Sequence, residues 1–454
     1  MSVAVDVRRA SRAEPALSPE GRAYAAERRR TRAIRFCIWA YIVLWILEGA
    51  LRKWVFPGLA NPLGLIREPF VAAAYLLAFR AGVFPRNFIV WVSAILCFVL
   101  ILIGYFLIGL PIGVMAAGVW AYFWPIPFIF LIPRVMDESD VHRVARFLML
   151  VAIPMALLMA VQFKSPAGSK INAIVGQEEY VESWSTKEVA GEVRPSGTWS
   201  YVGGASSFYM VVAGLVLVYL VDRRRVSTAL WLAVSAATVL SSVVSKSRTQ
   251  VIGIGLVAVV WLLYSHRALA KRLNRLVTGL LLLGFAFALL AGTDLYRKGT
   301  EVLSDRFESA RTWETFWDRL GYNLVPQPEA FAATPFWGFG LGVGTNMGAL
   351  QLVGRRAFLL HESETPRVIM EFGPLLGVLY GFGIRYGLLL MMAVVSWAAA
   401  KRGNLLPVAF FASTGVTVAS GSWGTPPIQA ISVIGAGLCL AAARAEPKGA
   451  GRLP

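Results

Sequence analysis

Charged residues are scarce in this chain: they make up 15% of its 454 residues, whereas 57% are hydrophobic. The mean hydropathy is +0.62. Soluble domains carry about 25% charged residues, so this composition excludes an ordinary soluble protein. The apolar residues form runs of about 20, the length that crosses the ~30 Å hydrocarbon layer of a bilayer. The sequence therefore predicts an all-α polytopic membrane protein.

Cysteine is also scarce, with three residues in the whole chain. Cys37, Cys97 and Cys439 each lie within an apolar run and show no paired spacing. This pattern indicates neither a disulfide framework nor a zinc site. We expect the three side chains to pack as small core residues.

The N-terminal region lacks the apolar core of a cleavable signal peptide and is rich in Arg and Ala instead. We interpret residues 1–33 as a basic, disordered cytoplasmic tail whose cations rest on anionic lipid. Residues 34–443 are then the transmembrane domain, and residues 444–454 form a second cytoplasmic tail.

A hydropathy window of ~19 residues indicates about twelve transmembrane helices. The predicted spans are 34–50, 67–84, 88–108, 112–132, 146–162, 207–221, 227–244, 250–265, 276–292, 369–398, 404–420 and 425–443. The span at 369–398 is longer than one crossing needs, so we expect it to be tilted, broken or entered by a re-entrant half-helix. Arg385 within it either snorkels to the interface or lines a cavity for an anionic lipid.

The net charge of +18 comes from 44 Lys and Arg against 26 Asp and Glu. These cations lie in the linkers between alternate spans, as the positive-inside rule requires, and do not indicate a nucleic-acid-binding patch. With the N-terminal tail inside, both termini are cytoplasmic. Three polar linkers then lie outside: residues 51–66 and two large loops at 163–206 and 293–368.

Histidine is the third scarce residue type, with three in the chain. His142 and His266 fall in basic cytoplasmic linkers, where we expect solvated side chains. His361 alone is predicted on the outer side, beside Glu362 and after a glycine run at 338–344. That run lacks the Lys-Ser/Thr ending of a P-loop, so we interpret it as a tight turn packed close to a helix.

Four of the arginines predicted on the outer side are candidates for a functional role. Arg194 precedes a Pro-Ser-Gly turn, and Arg248 ends the SKSR turn. Basic side chains near the membrane surface can simply snorkel, but the SKSR turn breaks the positive-inside pattern, which favours a functional role. Arg311 and Arg319 lie within the amphipathic helix predicted at 300–320, whose aromatic residues we expect to act mainly as packing or interface anchors.

These residue types suit the transfer of a group from a lipid diphosphate to an alcohol. Guanidinium groups bind phosphate oxygens bidentately, so converging arginines neutralise a leaving diphosphate. An imidazole with a pKa near ~6.5, or a neighbouring carboxylate, accepts the proton of an attacking hydroxyl. His361 and Glu362 are the candidate catalytic residues, and Arg194, Arg248, Arg311 and Arg319 are the candidate diphosphate ligands.

The order of motifs resembles the O-antigen ligase and Wzy-type polysaccharide polymerase superfamily of bacterial inner membranes. The matching pieces are LEGALRKWVFP, RPSGTW, SKSR, TPFWGFGLGVG and HESETPRVIMEFGPLLG, within residues 35–443. The resemblance implies a GT-C-like fold and glycan transfer from an undecaprenyl-diphosphate donor at the periplasmic face, without metal or cofactor. It matches Arg194 and Arg248 to the family's donor-diphosphate positions and His361 to its candidate base. Ligases tend to have Asn, Gln or Ser where this chain has Glu362, which favours a polymerase.

Our first hypothesis is a polymerase of lipid-linked repeat units for exopolysaccharide or O-antigen. A ligase that transfers a finished glycan to another acceptor shares the same donor chemistry. A lipid or polysaccharide transporter or flippase is the alternative from another class, although the sequence shows no internal repeat of the kind such folds carry. An inactive scaffold is a fourth alternative. The expected partners are the lipid-linked glycan, the bilayer, and a chain-length regulator or export proteins, with no nucleic acid.

Overall fold

The computed structural model describes residues 19–173, 175, 193–222, 225–270 and 327–444, together with 277, 291, 293, 296–297, 299–301, 304, 321 and 324–325. Within these residues the regular structure is helical and contains no strand. The all-α prediction is therefore confirmed for this part of the chain.

The described part of the chain contains eight helices that are long and apolar enough to cross a membrane, and three shorter apolar helices. In chain order the helices are α1 (Pro19–Arg30), α2 (Arg32–Val55), α3 (Pro57–Arg80), α4 (Phe88–Ile108), α5 (Ile112–Val135), α6 (Glu138–Lys164), α7 (Val202–Val221), α8 (Thr228–Val244), α9 (Arg248–Ala270), α10 (Pro328–Ala332), α11 (Asn346–Val353), α12 (Glu364–Phe372), α13 (Pro374–Lys401), α14 (Leu406–Ser420) and α15 (Pro426–Ala442). The eight long candidates are α2 to α7, α9 and α13. The arrangement is that of a polytopic membrane protein.

Eleven of the twelve predicted spans coincide with one of these helices. The remaining span, at 276–292, lies outside the described residues except for Val277 and Ala291. Of the eleven, eight contain the 18 or more residues needed to cross a membrane. The other three are shorter: α8 and α15 have 17 residues and α14 has 15. At 1.5 Å per residue such helices are about 25 Å long, somewhat shorter than the hydrocarbon layer.

The long span predicted at 369–398 is broken at Gly373. This glycine has a φ of 82°, which ends α12, and Pro374 then occupies the first turn of α13. A Cβ atom at position 373 would collide with the carbonyl oxygen of Phe336. The break separates α12, with its charged side chains, from the membrane-spanning helix α13.

Helix α7 lies at the centre of the bundle, since 94% of its apolar window is buried. It packs against α8, α9 and α14, and Gly214 brings it close to the backbone of Ala409 in α14. Helix α4 is peripheral: its side chains Phe88, Trp91 and Phe98 are exposed. Lipid tails are as apolar as these side chains, so such a face suits contact with a bilayer.

The N-terminal segment is partly structured, which corrects the prediction of a disordered tail at 1–33. Residues 19–30 form α1, and Arg28 places its Nη1 2.8 Å from Asp137 Oδ2 and its Nη2 2.7 Å from Asp140 Oδ1. The same two aspartates form the capping box of α6. Because a doubly paired arginine is fixed in position, this stretch docks on the bundle.

His142 is not the solvated linker residue that the sequence suggests. Its side chain is buried, with Nδ1 2.7 Å from the hydroxyl of Tyr219 and Nε2 3.5 Å from Glu138 Oε1. The reason is that α6 begins at Glu138, eight residues before the predicted span, so His142 lies on a helical face that packs on α7. The side chain of His266 lies outside the described residues.

The linkers predicted on the outer side meet at the end of the bundle opposite His142. Lys53 Nζ donates a hydrogen bond to the carbonyl oxygen of Gly197 at 2.9 Å, and Arg356 Nη2 donates to Asn61 Oδ1 at 2.7 Å. Parts of all three outer linkers are therefore in contact. This grouping is what the alternating topology requires, and the cytoplasmic location of the termini stays a prediction.

Candidate functional site

A cavity of about 300 Å³ lies among these linkers. This volume is at the lower end of the ~300–1,000 Å³ range of small-ligand sites. Most of the wall is neutral, and its ionisable groups are Arg52, Arg356, Glu362 and the phenol of Tyr201. The rings of Trp120, Tyr201 and Phe358 and the hydroxyl groups of Ser200, Ser422 and Thr425 also face it. Such a wall can bind an anion and a hydroxylated group side by side.

Arg52 is held in the wall by a buried ion-pair network. It lies in the π-helical last turn of α2, where its Nη1 donates to Glu48 Oε1 at 2.9 Å and its Nε to the carbonyl oxygen of Ala60 at 2.7 Å. The other oxygen of Glu48 is 3.2 Å from Arg67 Nε. Arg67 Nη2 in turn donates to the carbonyl oxygen of Pro426, a wall residue, at 3.0 Å. One buried carboxylate thus connects α2, α3 and α15.

Lys53 fixes the RPSGTW loop that supplies another part of the wall. Its buried Nζ donates to Ser196 Oγ at 3.1 Å and to the carbonyl oxygens of Gly197 and Trp199 at 2.9 and 2.7 Å. Three acceptors satisfy the three N–H donors of the ammonium group. The residues that follow this loop, Ser200 and Tyr201, line the cavity.

The glycine run is a tight turn packed against α12, as its sequence indicates. Gly338, Gly340 and Gly342 have φ values of 74°, 103° and 93°. Residues that carry a Cβ atom rarely adopt such positive φ values. The turn is fixed by Glu371, whose Oε2 accepts the N–H of Gly342 at 2.6 Å and whose Oε1 accepts that of Gly344 at 3.1 Å. The chain leaves the turn at the start of α11, where Asn346 and Met347 line the cavity.

The carboxyl group of Glu371 is fully enclosed. Burial raises its pKa from the usual 4.5 to about 7, while the charge of Arg367 and the donors on Tyr122, Gly342 and Gly344 oppose that rise. The hydroxyl of Tyr122 lies 2.8 Å from Oε1. Glu371 therefore changes its protonation state near neutral pH while holding the turn.

Arg385 does not snorkel to the membrane surface but is buried. Its Nη1 donates to Glu364 Oε1 at 2.8 Å, and its Nη2 to the carbonyl oxygen of Gly421 at 2.6 Å. Glu364 also pairs with Arg367, and Arg367 Nη2 donates to the wall residue Ser422 at 2.8 Å. This second buried carboxylate therefore connects α12 and α13 to the turn between α14 and α15.

Of the two predicted catalytic residues, Glu362 is exposed and lines the cavity, and His361 is its half-buried neighbour. The Nδ1 atom of His361 accepts the backbone N–H of Ser363 at 2.9 Å. The neutral ring then carries its proton on Nε2. In this arrangement His361 offers a hydrogen-bond donor, whereas Glu362 offers a carboxylate that can accept a proton.

Arg194 and Arg248 lie at the same end of the bundle but are not among the residues that line this cavity. Their turns both pack near the end of α6. Gln162 Oε1 accepts the N–H of Gly197 at 2.8 Å, and Lys246 Nζ lies 4.7 Å from the ring centroid of Phe163. Both arginines are half-buried. The other two predicted diphosphate ligands, Arg311 and Arg319, and nearly all of the helix predicted at 300–320 lie outside the described residues.

Sequence reasoning missed Arg52 and did not single out Arg356 as a wall residue. One signal for Arg52 was available, because Glu48 and Arg52 stand four residues apart within an apolar run. Charges inside such runs are costly and are kept for a reason. The adjacent arginines at 355 and 356 look alike in sequence, and only Arg356 lines the cavity.

Another cavity, of about 330 Å³, lies at the opposite end around Glu138 and His142 and contains none of the predicted site residues. In the part of the chain that the structure describes, no group of three or more His, Cys, Asp and Glu side chains could hold a metal ion. The sequence matches no protein-family model and no curated protein. The evidence of function is therefore the chemistry of the cavity among the outer linkers.

The raised pKa of Glu371 predicts a pH-dependent stability. The unfolded protein loses this proton near pH 4.5, whereas the folded protein keeps it up to about pH 7. The contribution of Glu371 to stability is therefore largest below pH 4.5 and falls by roughly 3 kcal/mol as the pH rises to about 7. Unfolding measured between pH 5 and pH 8 should show this fall, and Glu371→Gln should remove it. Glu362→Gln, at an exposed carboxylate, is the control and should keep it; equal pH dependence in the native and Glu371→Gln proteins would contradict the assignment.

Proposed function

We propose that this protein is a metal-independent membrane glycosyltransferase with a GT-C-like fold of about twelve spans. It polymerises undecaprenyl-diphosphate-linked oligosaccharide repeat units at the periplasmic face of a bacterial inner membrane. The observation that carries the proposal is the pair of guanidinium groups, Arg52 and Arg356, in the wall of one mainly neutral cavity.

The two guanidinium groups repel each other, which raises the free energy of the empty cavity. Arg52 is buried, so solvent screens this repulsion poorly. A diphosphate placed between the two cations removes the repulsion and replaces it with charge-assisted hydrogen bonds. Guanidinium groups match phosphate oxygens in geometry as well as charge. The cavity therefore favours a ligand with a multiply charged phosphate group.

The position of the cavity suits a ligand that is anchored in the bilayer. Its wall includes Leu65, which belongs to α3, and Pro427 and Ile428, which belong to the first turn of α15. Helix α3 is long and apolar enough to cross a membrane, and α15 is one of the shorter apolar helices. A lipid diphosphate can thus keep its hydrocarbon chain in the membrane while its head group enters the cavity.

In the proposed reaction the hydroxyl oxygen of the acceptor glycan attacks the anomeric carbon of the donor. A new glycosidic C–O bond forms, and the bond between the anomeric carbon and the diphosphate oxygen breaks. Glu362 accepts the hydroxyl proton, and the lipid diphosphate leaves with its negative charge against Arg52 and Arg356. His361 donates from Nε2 and orients a substrate oxygen. Binding of the diphosphate by Arg194, Arg248, Arg311 and Arg319 stays a prediction.

The direct test is to incubate the purified protein with a lipid-diphosphate-linked oligosaccharide. We expect longer lipid-linked products, resolved by gel electrophoresis and mass spectrometry. Transfer to a different acceptor without chain growth would identify a ligase. Movement of the lipid across a vesicle membrane without any new bond would identify a flippase and overturn the proposed transferase.

Arg356→Gln should weaken donor use, because it removes one of the two cavity cations. The loss of a charge-assisted hydrogen bond of ~1.5–3 kcal/mol corresponds to a roughly 10- to 150-fold lower kcat/KM for the lipid-linked donor. Arg355→Gln is the matched control, since Arg355 is exposed and does not line the cavity. Equal losses in the two variants would show that only the general charge of the loop matters.

Glu362→Gln should lower kcat by ~10²- to 10⁴-fold while leaving folding unchanged, because it removes the proton acceptor from an exposed side chain. His361→Gln keeps an N–H donor and should retain more activity than Glu362→Gln. Glu329→Gln, at an exposed glutamate in α10 outside the cavity wall, is the control. An inactive His361→Gln beside an active Glu362→Gln would assign the base to the histidine.

A further inference from the structure

Three aromatic side chains at the glycine turn are exposed on the protein surface. Phe336 is 63% exposed, Trp337 is 48% exposed, and Phe339 is exposed as well. The rings of Phe336 and Trp337 contact each other edge to face, with centroids 4.7 Å apart. Large apolar side chains that lie together on a surface mark a site of contact with a partner or a membrane. These three residues are called the aromatic patch below.

The backbone that carries the aromatic patch is held by α12. The N–H of Phe339 donates to the carbonyl oxygen of Met370 at 2.8 Å, and the N–H of Gly340 donates to that of Glu371 at 2.9 Å. The side chain of Glu371 binds the next part of the turn at Gly342. The three rings are therefore presented by a fixed turn, and their exposure is a property of the fold.

On one side the turn packs against the connection between α4 and α5. Gly340 lies so close to Leu110 that a Cβ atom would collide with its side chain. Helix α4 carries a row of exposed apolar residues, spaced three or four apart: Phe88, Trp91, Ile95, Phe98, Leu102 and Tyr105. This helix is long and apolar enough to cross a membrane, and only 28% of its apolar window is buried. The row therefore suits direct contact with lipid.

On the other side the turn lies at the start of α13. Gly373 lies against the carbonyl oxygen of Phe336, and Pro374 begins the helix. The first turns of α13 carry three more exposed apolar side chains: Leu375, Leu379 and Phe382. Because α4 and α13 pack against each other, their exposed residues belong to neighbouring helices, and the aromatic patch lies at the end of both.

We infer that the aromatic patch inserts into the surface of the bilayer and anchors the glycine turn there. Its occupant is lipid because the patch continues the apolar surface of two helices that can cross a membrane. An indole ring such as that of Trp337 suits this depth, since its apolar body enters the membrane while its N–H reaches the polar head groups. The same turn leads to Asn346 and Met347, so the anchor also holds this part of the cavity wall at the membrane surface. The inference does not depend on the proposed reaction.

Spin labels test the depth of the patch directly. Phe336→Cys or Trp337→Cys is labelled with a nitroxide in lipid nanodiscs, after alanine has replaced the native cysteines, Cys37, Cys97 and Cys439. Collisions of the nitroxide with oxygen, which concentrates in hydrocarbon, are compared with its collisions with a water-soluble nickel chelate. Oxygen collisions should exceed nickel collisions at both positions. Leu390→Cys, at an exposed position within α13, is the control for a label in lipid.

Glu329→Cys and Arg355→Cys are the matched controls for a label in water, because both residues are exposed in the same linker outside the patch. At these two positions nickel collisions should exceed oxygen collisions. Nickel collisions at Phe336→Cys or Trp337→Cys as frequent as at Glu329→Cys would overturn the anchor and leave the patch as a surface for a partner protein. The proposed transferase would be unaffected by that result.

A second measurement keeps the native cysteines. Lipids brominated near the head group quench the fluorescence of tryptophans that touch them, so Trp337→Phe should lose part of the quenching seen in the native protein. Trp261→Phe is the control, because the indole of Trp261 is buried, and should lose none. Equal quenching in the native protein and in Trp337→Phe would also overturn the anchor.

Discussion

The structure at the candidate site depends on one buried carboxylate, Glu48, placed between the guanidinium groups of Arg52 and Arg67. Burying a charge inside an apolar bundle is costly unless it is paired and hydrogen-bonded, and removal of one partner commonly costs ~3–5 kcal/mol. Because Arg52 reaches Ala60 and Arg67 reaches Pro426, the same network fixes where α3 and α15 begin relative to α2. The cavity lies where these three helices meet the outer linkers, so its shape follows from this pairing.

A second carboxylate, Glu364, serves the other side of the cavity in the same way, with Arg367 and Arg385 as its partners. It also accepts the backbone N–H of Trp423 at 3.2 Å, within the turn that contains the wall residue Ser422. A membrane protein has a physical reason to use such pairs. Apolar packing alone discriminates poorly between neighbouring helices in lipid, because the tails are equally apolar, whereas a buried ion pair has a definite partner. Such pairs can therefore set positions that hydrophobic packing leaves open.

The apolar runs and the basic linkers predicted most helices and the grouping of linkers at two ends, since both signals are local in sequence. The break at Gly373 was also accessible, because a Gly-Pro pair interrupts the run. The partners of buried charges were not accessible: nothing near Arg67 in sequence reveals Glu48, and nothing near Arg385 reveals Glu364. The basic linker around His142 predicts a solvated side chain, which is wrong because α6 extends through that linker and turns the ring toward Tyr219.

Glu371 lies outside the cavity wall but holds chain segments that belong to it. Its Oε1 atom accepts hydrogen bonds from Tyr122 and Gly344, which lie two residues from Trp120 and Asn346. Arg52 is held by Glu48 instead and has no bond to Glu371 among the contacts described. The two halves of the cavity are thus supported separately. We expect a change at Glu371 to disturb the wall at Trp120 and Asn346, and a change at Glu48 to disturb it at Arg52. Since the pKa of Glu371 is raised to about 7, this carboxyl group ionises near neutral pH beside the chain segments that lead to Trp120 and Asn346.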